Sequence, residues 1–275
     1  MSLLRDTKLL LKRHEIKLNR RLGQNFIVDG EVLNREISHA GIKISDTVLE
    51  IGPGIGTLTE RLIECAGKVY VVEMDARMIE VLKSRFKDRV KIIEGDFLKV
   101  DLPKFDKTIS NIPYSISSPL TFRLLSRKFK TAVLTYQKEF AERMVAKPGE
   151  KSYSRLSVAT YYWATAEIME VLPPESFYPM PRVDSAIVRL TPKKKRPFEV
   201  SEKLFFSLIR GLFSHKKKIL KKALFFSLSD VFGIKSKSRR LEILGTLPDE
   251  IGERRVFTLS PEELSELSLM LEEKL

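Results

Sequence analysis

The sequence contains one cysteine, Cys65, and three scattered histidines, His14, His39 and His215. A single cysteine excludes an internal disulfide framework and a thiolate zinc cluster, and the scattered histidines argue against a histidine metal site. No apolar run approaches the roughly 18 residues that a transmembrane helix needs. Charges interrupt the apolar stretch of the first residues, MSLLRDTKLLLKRHEIK, which is not typical of a secretory signal. We therefore expect a soluble, cytoplasmic protein that binds no membrane and no metal.

Acidic residues are scarce relative to basic ones, and the imbalance is uneven along the chain. The 275 residues include 49 Lys and Arg but 36 Asp and Glu, a net charge of +13. Residues 1–23 have a net charge of +5, residues 24–192 of +2 and residues 193–275 of +6. Two basic ends on a nearly neutral body are a common footprint of a nucleic-acid partner, because cations that meet phosphates release counterions. A basic surface can also serve solubility alone, so charge leaves both interpretations open.

Short apolar runs alternate with helical patterns between residues 47 and 137. The runs are rich in Val, Ile and Thr, as in parallel strands buried on both faces. This alternation predicts an α/β fold, a Rossmann-like doubly wound sheet with helices on both faces. Strands are predicted at Thr47–Gly52, Val69–Met74, Val90–Asp96, Phe105–Ser110 and Thr131–Gln137, and helices at Ile55–Ala66, Asp75–Phe86 and Ser118–Lys128.

The remaining segments complete a three-part organisation. Residues 1–23 are predicted to be a basic N-terminal arm, and residues 24–192 the main domain. Ala166–Leu172 and Val183–Thr191 flank a Pro-rich loop and predict an antiparallel hairpin at one edge of the sheet. Beyond the charged, Pro-bounded linker 192–197, residues 193–275 show helical periodicity, including a capping box that begins at Ser260. We expect these last residues to form a small helical domain.

A glycine-rich turn follows the first predicted strand and opens a helix. Gly52, Gly54 and Gly56 allow a sharp turn and let the backbone approach a ligand closely. The helix behind them offers free backbone N–H groups. A nicotinamide-binding fingerprint requires Gly or Ala where this chain has Thr57, which weakens that interpretation.

Acidic residues end the next two predicted strands. Glu73 can accept hydrogen bonds from both ribose hydroxyls of a nucleoside, as acids at this place in dinucleotide-binding folds do. Asp96 can accept from an adenine amine, and Phe97 can pack against the ring. Together with the pattern E-x-G-x-G-x-G, which runs from Glu50 through Gly52 and Gly54 to Gly56, these residues resemble the S-adenosylmethionine site of Rossmann-like methyltransferases. The alternative is a tight turn with two solvated carboxylates.

The fourth predicted strand runs into Asn111-Ile112-Pro113-Tyr114, which resembles the motif of methyltransferases that modify exocyclic amines of nucleobases. An adenine N6 is a poor nucleophile because its lone pair is delocalised into the ring. The Asn111 oxygen and the Ile112 carbonyl can each accept one N6–H bond, and Pro113 fixes the backbone direction. Tyr114 offers a face on which an extruded base can stack. No strong general base is needed, so catalysis would consist mostly of positioning.

Motifs along most of the chain resemble those of the KsgA-type small-subunit rRNA adenine N6,N6-dimethyltransferases. The family's G-Q-N-F segment occurs at residues 23–26, and the resemblance implies that Gln24, Asn25 and Ile27 contact the cofactor. The run NIPYSISSPL from residue 111 is close to the family's N-L-P-Y-N-I-S-[ST]-P-L, with Ser115 in place of the usual Asn. The run FYPMPRVDSA from residue 177 resembles F-x-P-x-P-x-V-D-S-A. In that motif the Phe lies near the target base, so Phe177 is either a second stacking face or a core residue.

The resemblance implies a fold, a reaction and a partner. Family members transfer four methyl groups to two adjacent adenosines in the 3′-terminal stem-loop of small-subunit rRNA, and their C-terminal domain helps to engage the subunit. We accordingly expect a monomeric enzyme of ribosome biogenesis. The expected RNA contacts are basic residues of the arm and of the C-terminal domain, where spacings of three and four put Lys218, Lys221 and Lys222 on one helix face. A solvated helix face is the alternative. The expected contacts are Arg20, Arg21, Lys217, Lys218, Lys221 and Lys222, and Lys12, Arg13 and Lys17 of the arm invite the same interpretation.

Three other functions compete with this one. Resistance methyltransferases of large-subunit rRNA also use N-I-P-Y, but residues 117–120 and 183–186 favour the small-subunit type. DNA adenine methyltransferases usually carry two prolines in the motif and a separate recognition domain. A non-catalytic RNA-binding assembly or transcription factor on the same fold would have degraded pocket residues, whereas Glu73, Asp96 and Asn111 are all present.

Overall fold

The computed structural model describes residues 2–18 and 25–274. Their contacts divide the chain into two compact units, Met1–Ala141 with Ala164–Pro192 and Glu142–Trp163 with Lys193–Leu275. The sequence predicts a single domain boundary near residue 192. The structure also assigns residues 142–163 to the second unit, so the chain passes between the units three times. The reason is packing, because Tyr153 and Val158 belong to the hydrophobic cluster of the second unit. None of the helices in the described part of the chain has the length and apolar character of a membrane span.

The first unit contains a seven-stranded sheet and a small two-stranded sheet. Its strands are β1 (Phe26–Ile27), β2 (Thr47–Ile51), β3 (Lys68–Glu73), β4 (Lys91–Glu94), β5 (Lys107–Asn111), β6 (Thr131–Gln137), β7 (Ala164–Leu172), β8 (Phe177–Tyr178) and β9 (Ser185–Pro192). Its helices are α1 (Leu3–Arg13), α2 (Gly30–Ala40), α3 (Thr57–Cys65), α4 (Ala76–Phe86) and α5 (Ser117–Leu125).

The large sheet has the strand order β4-β3-β2-β5-β6-β9-β7. Strands β2 to β6 are parallel, and β9 runs antiparallel to β6 and β7. This confirms the predicted Rossmann-like sheet and the antiparallel hairpin at its edge. The chain moves outward from β2 through β3 and β4 and then returns to place β5 on the other side of β2. Such a reversal opens a crevice at the carboxyl ends of the two central strands, where α/β sheets bind ligands.

The central strands are buried as their continuous apolar sequences predict. Val48 and Leu49 of β2 are fully buried, and helix α2 adds Val32 and Leu33 to the same core. Burying a side chain of this kind contributes roughly 1.5–3 kcal/mol. Helix α2 begins at its N-cap Asp29, whose carboxylate accepts from the backbone N–H groups of residues 31 and 32.

The N-terminal segment forms a helix, which differs from the predicted arm. Helix α1 is amphipathic and buries Thr7 and Leu11. Leu11 and the following Ile16 pack in one cluster with Ile55 of the glycine-rich turn and Met78 of α4. The leucines of residues 3–11 recur at helical spacing, and this apolar face attaches the segment to the first unit.

The second unit is helical, as predicted for the C-terminal residues. It contains the end of α6 (Lys138–Val145), α7 (Arg155–Trp163), α8 (Glu202–Ser214), α9 (Leu220–Asp230), α10 (Lys237–Leu244), α11 (Asp249–Gly252) and α12 (Pro261–Glu272). Its core includes Phe205 of α8 and Leu224 of α9. The predicted capping box is present at Ser260, where the side chain accepts from Glu263 N–H and the Glu263 carboxylate accepts from Ser260 N–H.

Candidate active site

A cavity of about 260 Å³ lies at the carboxyl edge of the parallel strands. Gly52 after β2, Glu73 at the end of β3, Asp96 after β4 and Asn111 at the end of β5 all line it. Gly52 and Asn111 are far apart in the sequence but follow neighbouring parallel strands. In these strands, Leu49 of β2 lies opposite Thr108 of β5, 59 residues later in the chain. The fold therefore brings the separately predicted motifs to one site.

The glycine-rich turn has a backbone that other residues rarely adopt. Gly52, Gly54 and Gly56 have φ values of +66°, +58° and +84°. A Cβ on Gly54 would lie 2.5 Å from a ring carbon of Phe26, so a side chain there would also displace the wall of the cavity. Glycine is required at this position both for the turn and for the space beside it.

Glu73 holds the backbone on two sides of the cavity. One carboxylate oxygen accepts from the N–H of Gly54 at 3.1 Å, and the other accepts from the N–H groups of Met74 at 2.8 Å and Asp75 at 2.9 Å. Burial raises the pKa of the Glu73 carboxyl, and the three backbone N–H groups oppose that rise. A carboxylate has about four acceptor positions, so room remains for a further hydrogen bond from a ligand hydroxyl.

Asp96 and Phe97 form the neighbouring wall. Asp96 Oδ1 accepts from Leu98 N–H at 2.9 Å, which leaves the other oxygen for a ligand amine. Phe97 is 4% exposed and lines the cavity, with the Arg123 guanidinium 5.5 Å from its ring centroid. The glycine turn, the two carboxylates and this ring are a set of donors, acceptors and apolar surface that fits an adenosine-containing cofactor.

The entry segment and the N-I-P-Y motif meet at the cavity. Asn25 and Ile27 line it, and the Asn111 amide nitrogen donates to the Asn25 carbonyl at 2.5 Å. Since a carbonyl can only accept, this bond orients the Asn111 amide and makes Oδ1 the atom that can accept from a substrate. Gln24 was also expected here and lies outside the described residues.

The three residues after Asn111 have different environments. Ile112 is 1% exposed, and its N–H donates to the Thr135 carbonyl at 3.1 Å. Pro113 lines the cavity next to Gly52. Tyr114 is half-buried outside the cavity lining, and its hydroxyl lies 2.6 Å from Ser185 Oγ. Burial raises the pKa of the Tyr114 phenol, so it is neutral near pH 7.

Phe177 occupies a position that differs from the expected stacking face. It is 3% exposed and belongs to the hydrophobic core with Ile27 and Leu33. The reason is that β8 pairs with β1, with Phe177 opposite Ile27 and Tyr178 opposite Phe26. This packing corresponds to the core alternative, since the buried ring is not open to a base.

Two buried carboxyl groups near the site were given no individual role from the sequence. Glu50 lines the cavity, and its Oε2 accepts from the Thr59 hydroxyl at 2.6 Å. Burial raises the pKa of Glu50 to about 8. Glu36 on α2 accepts from the Thr135 hydroxyl at 2.5 Å, and burial raises its pKa to about 7. Glu50 begins the E-x-G-x-G-x-G pattern, which is the sequence signal for its place beside the glycines.

Other cavity residues follow the strand ends directly. Pro53, Met74, Leu98 and Ile116 line the cavity without having been singled out. They contribute mostly apolar surface, for which sequence carries little specific signal beyond position. Their common feature is that each lies within a few residues of a predicted strand end or of the N-I-P-Y motif.

The three lysines expected on one helix face, Lys218, Lys221 and Lys222, have different environments in the structure. Lys217 and Lys218 are exposed in the turn before α9, and Lys222 is exposed in the first turn of α9. Lys221 instead forms ion pairs with Asp249 at 2.7 Å and Glu253 at 3.1 Å. The charge of Lys221 is therefore neutralised by two acidic residues of its own unit. This corrects the expectation that Lys221 contacts RNA together with the exposed lysines. The other two expected contacts, Arg20 and Arg21, lie outside the described residues.

Comparison with known families decides the classification of this site. The family model of ribosomal RNA adenine dimethylases matches residues 15–236. This chain belongs to the ribosomal RNA adenine dimethylase family. The chain is therefore an rRNA adenine N6,N6-dimethyltransferase of an S-adenosylmethionine-dependent family.

Curated relatives and solved structures agree with the family assignment. A probable ribosomal RNA small subunit methyltransferase A of Pyrococcus abyssi is 45% identical over 96% of each chain. One of Methanothermobacter thermautotrophicus is 45% identical over 98% of this chain and 96% of its own. A dimethyladenosine transferase from Plasmodium falciparum has a TM-score of 0.74 and 35% identity, with 90% of this chain and 97% of that chain covered. The 23S rRNA methyltransferase ErmE has a TM-score of 0.64 and 26% identity, covering 90% and 99%.

Proposed function

We propose that this dimethylase methylates the N6 amines of two adjacent adenosines in the 3′-terminal stem-loop of small-subunit rRNA, as part of small-subunit assembly. The observation that carries the proposal is the position of Asn111, whose side chain lines the same cavity as Gly52, Glu73 and Asp96. The amine-recognition motif and the adenosine-binding residues thus share one site. The choice of the small subunit is supported by relatives that carry that subunit in their names and are aligned over 96% of this chain.

Cofactor binding in this proposal uses residues already in place. Glu73 accepts from a ribose hydroxyl, Asp96 accepts from the adenine amine, and Phe97 packs against the adenine ring. Asn25 and Ile27 close the cavity from the entry segment. When bound, S-adenosylmethionine supplies the methyl group and the sulfonium charge that favours its transfer.

Amine positioning depends on Asn111 and the backbone that follows it. With its Nδ2 engaged by Asn25, Asn111 accepts one N6–H through Oδ1. The Ile112 carbonyl accepts the second N6–H, and the Ile112 N–H bond to Thr135 and the fixed φ of Pro113 set its direction. Holding both protons favours a more amine-like nitrogen, and most of the rate gain comes from this orientation. Tyr114 provides the stacking face for the extruded adenine.

Subunit engagement in this proposal falls to the exposed cations of the second unit. Backbone hydrogen bonds from Val256 and Phe257 to the carbonyls of Lys218 and Lys216 hold the turn that carries Lys217 and Lys218. Together with Lys222, these side chains can meet rRNA phosphates. Their contribution should be salt-sensitive, because phosphate contacts release counterions.

The test is transfer of radiolabelled methyl from S-adenosylmethionine to small subunits that lack this modification, followed by digestion to nucleosides. Dimethyladenosine, mapped to two adjacent positions by primer extension, is the expected product. The Asn111→Ala variant is the control and should bind the cofactor without transferring label. Label on naked large-subunit rRNA alone would replace the proposal with a resistance-type activity. Cofactor binding without label on either RNA would replace it with a non-catalytic assembly role.

A further inference from the structure

Helix α1 carries a basic stripe on its solvent-facing side. Arg5, Lys8 and Lys12 are spaced by three and four residues, so they share one face, and all three are exposed. The opposite face buries Thr7 and Leu11. Within residues 2–18 and 25–274, none of these three cations forms an ion pair. Their charges are therefore available to a partner, in contrast to that of Lys221.

The stripe lies beside the active-site cavity. Lys8 Nζ is 5.0 Å from the ring centroid of Tyr178. Tyr178 pairs across the small sheet with Phe26, which lines the cavity. On its buried side, α1 packs through Leu11 against the cluster that includes Ile55 of the glycine-rich turn. A partner bound along the stripe would thus pass next to the wall of the cavity that Phe26 forms.

The helix is attached firmly enough to present these charges in a fixed arrangement. Beyond its C-terminus, the Lys17 carbonyl accepts from the Arg77 guanidinium of α4 at 2.9 Å. Ile16 is buried in the same cluster as Leu11 and Met78. Cations held on an anchored helix lose less conformational freedom on binding than cations on a free arm.

We propose that α1 is a substrate-binding element whose Arg5, Lys8 and Lys12 bind the phosphate backbone of the RNA strand that leads to the target adenosine, with Tyr178 as the flanking aromatic contact. The chemistry favours a polyphosphate, because three adjacent cations face solvent next to a half-buried ring. The identity of the strand as rRNA rests on the proposed function.

The experiment compares two full-length triple variants. One carries Arg5→Gln, Lys8→Gln and Lys12→Gln. The other carries Lys87→Gln, Arg89→Gln and Lys91→Gln, which removes the same residue types from an exposed segment at the amino end of β4, opposite the cavity edge. Affinity for small-subunit rRNA is measured by filter binding at several salt concentrations. Affinity for S-adenosylmethionine is measured by calorimetry.

The α1 variant should bind rRNA about tenfold more weakly than the control variant at moderate salt. Its salt slope should fall by about 2, since each single-strand phosphate contact contributes about 0.7. S-adenosylmethionine affinity should stay at the wild-type value in both variants. Equal rRNA affinity and slope in the two variants would overturn the inference, as would a loss confined to the cofactor. The experiment measures RNA binding and not methyl transfer, so the two proposals can fail separately. If the α1 variant binds rRNA more weakly but the wild type does not methylate small subunits, only the proposed function is overturned.

Discussion

The Tyr114 hydroxyl lies 2.6 Å from Ser185 Oγ, which joins two motifs that are 71 residues apart in the chain. Tyr114 follows β5 in the N-I-P-Y motif, and Ser185 begins β9 in the V-D-S-A motif. Ser185 is fully buried, so it fixes the phenol oxygen from the sheet side. The hydrogen bond orients the Tyr114 ring, which gives the V-D-S-A motif a positioning role in the proposed base-stacking site.

Removing the Tyr114 ring and removing its hydrogen bond should therefore have different effects. Tyr114→Ala should lower kcat/KM for rRNA about 5- to 150-fold, because stacking of a base on an aromatic ring is worth about 1–3 kcal/mol. Tyr114→Phe and Ser185→Ala should each cost about fivefold, as expected for one hydrogen bond of about 1 kcal/mol. Steady-state kinetics on unmodified subunits measure all three. The double variant Tyr114→Phe with Ser185→Ala should lose no more activity than either single variant. Additive losses would mean that the two residues do not act through their shared hydrogen bond.

Replacing Gly54 should block the cofactor through both backbone and space. Gly54→Ala places a Cβ in a left-handed conformation and 2.5 Å from Phe26, so the cavity wall must move. Gly41→Ala is the matched control, because its φ of +55° is similar but nothing lies within 4 Å of the new carbon. We expect both variants to lose about 1–2 kcal/mol of unfolding free energy from the backbone. Calorimetry should show at least tenfold weaker S-adenosylmethionine binding for Gly54→Ala only, and equal binding in both variants would contradict this.

The sheet could be predicted because its strands are continuously apolar and their ends carry polar motifs. Periodicity places Thr131–Gln137 to the residue, and the other six predicted strands within two residues at each end. The site could be predicted in part for a topological reason, since parallel strands bring Gly52, Glu73 and Asn111 to one edge whatever their side-chain contacts.

Other features depend on pairings that the sequence does not encode locally. Strands β1 and β8 have two residues each, too few for a period, and their pairing buries Phe177. The assignment of residues 142–163 to the second unit depends on contacts with residues more than 40 positions later in the chain. One example is Leu259, whose carbonyl accepts a hydrogen bond from the Tyr153 hydroxyl. Helix α1 was obscured by its charge, because the basic residues that suggested an arm lie on the exposed face of an amphipathic helix.

Three of the four lysines expected as RNA contacts should differ in a binding experiment. Lys222→Gln and Lys217→Gln remove exposed cations and should each weaken rRNA binding and reduce its salt slope by about 0.7. Lys221→Gln should leave rRNA affinity unchanged, because Lys221 is held by Asp249 and Glu253. Filter binding with small-subunit rRNA measures the difference. A loss for Lys221→Gln as large as that for Lys222→Gln would restore Lys221 as an RNA contact.

Glu36 should make the first unit less stable as the pH rises. Burial raises its pKa from 4.5 to about 7, and its Oε2 has no hydrogen-bond partner within the described residues. Between these two pH values the folded chain holds a proton that the unfolded chain releases, so unfolding free energy falls as pH increases. The full shift corresponds to a loss of about 3 kcal/mol by pH 7 and above. Below pH 4.5 the loss is absent.

Glu36→Gln keeps the shape and an acceptor for Thr135 but cannot ionise, so it should remove this dependence. The variant should match the wild type near pH 4.5 and become more stable than it by pH 8. Glu50 is present in both proteins, and its pKa is raised chiefly by burial, so only the smaller part of its shift that comes from the charge of Glu36 differs between them. Urea denaturation should be followed by circular dichroism, because the one tryptophan, Trp163, belongs to the second unit. A stability difference that is constant from pH 5 to 8 would mean that Glu36 does not change its protonation state on unfolding.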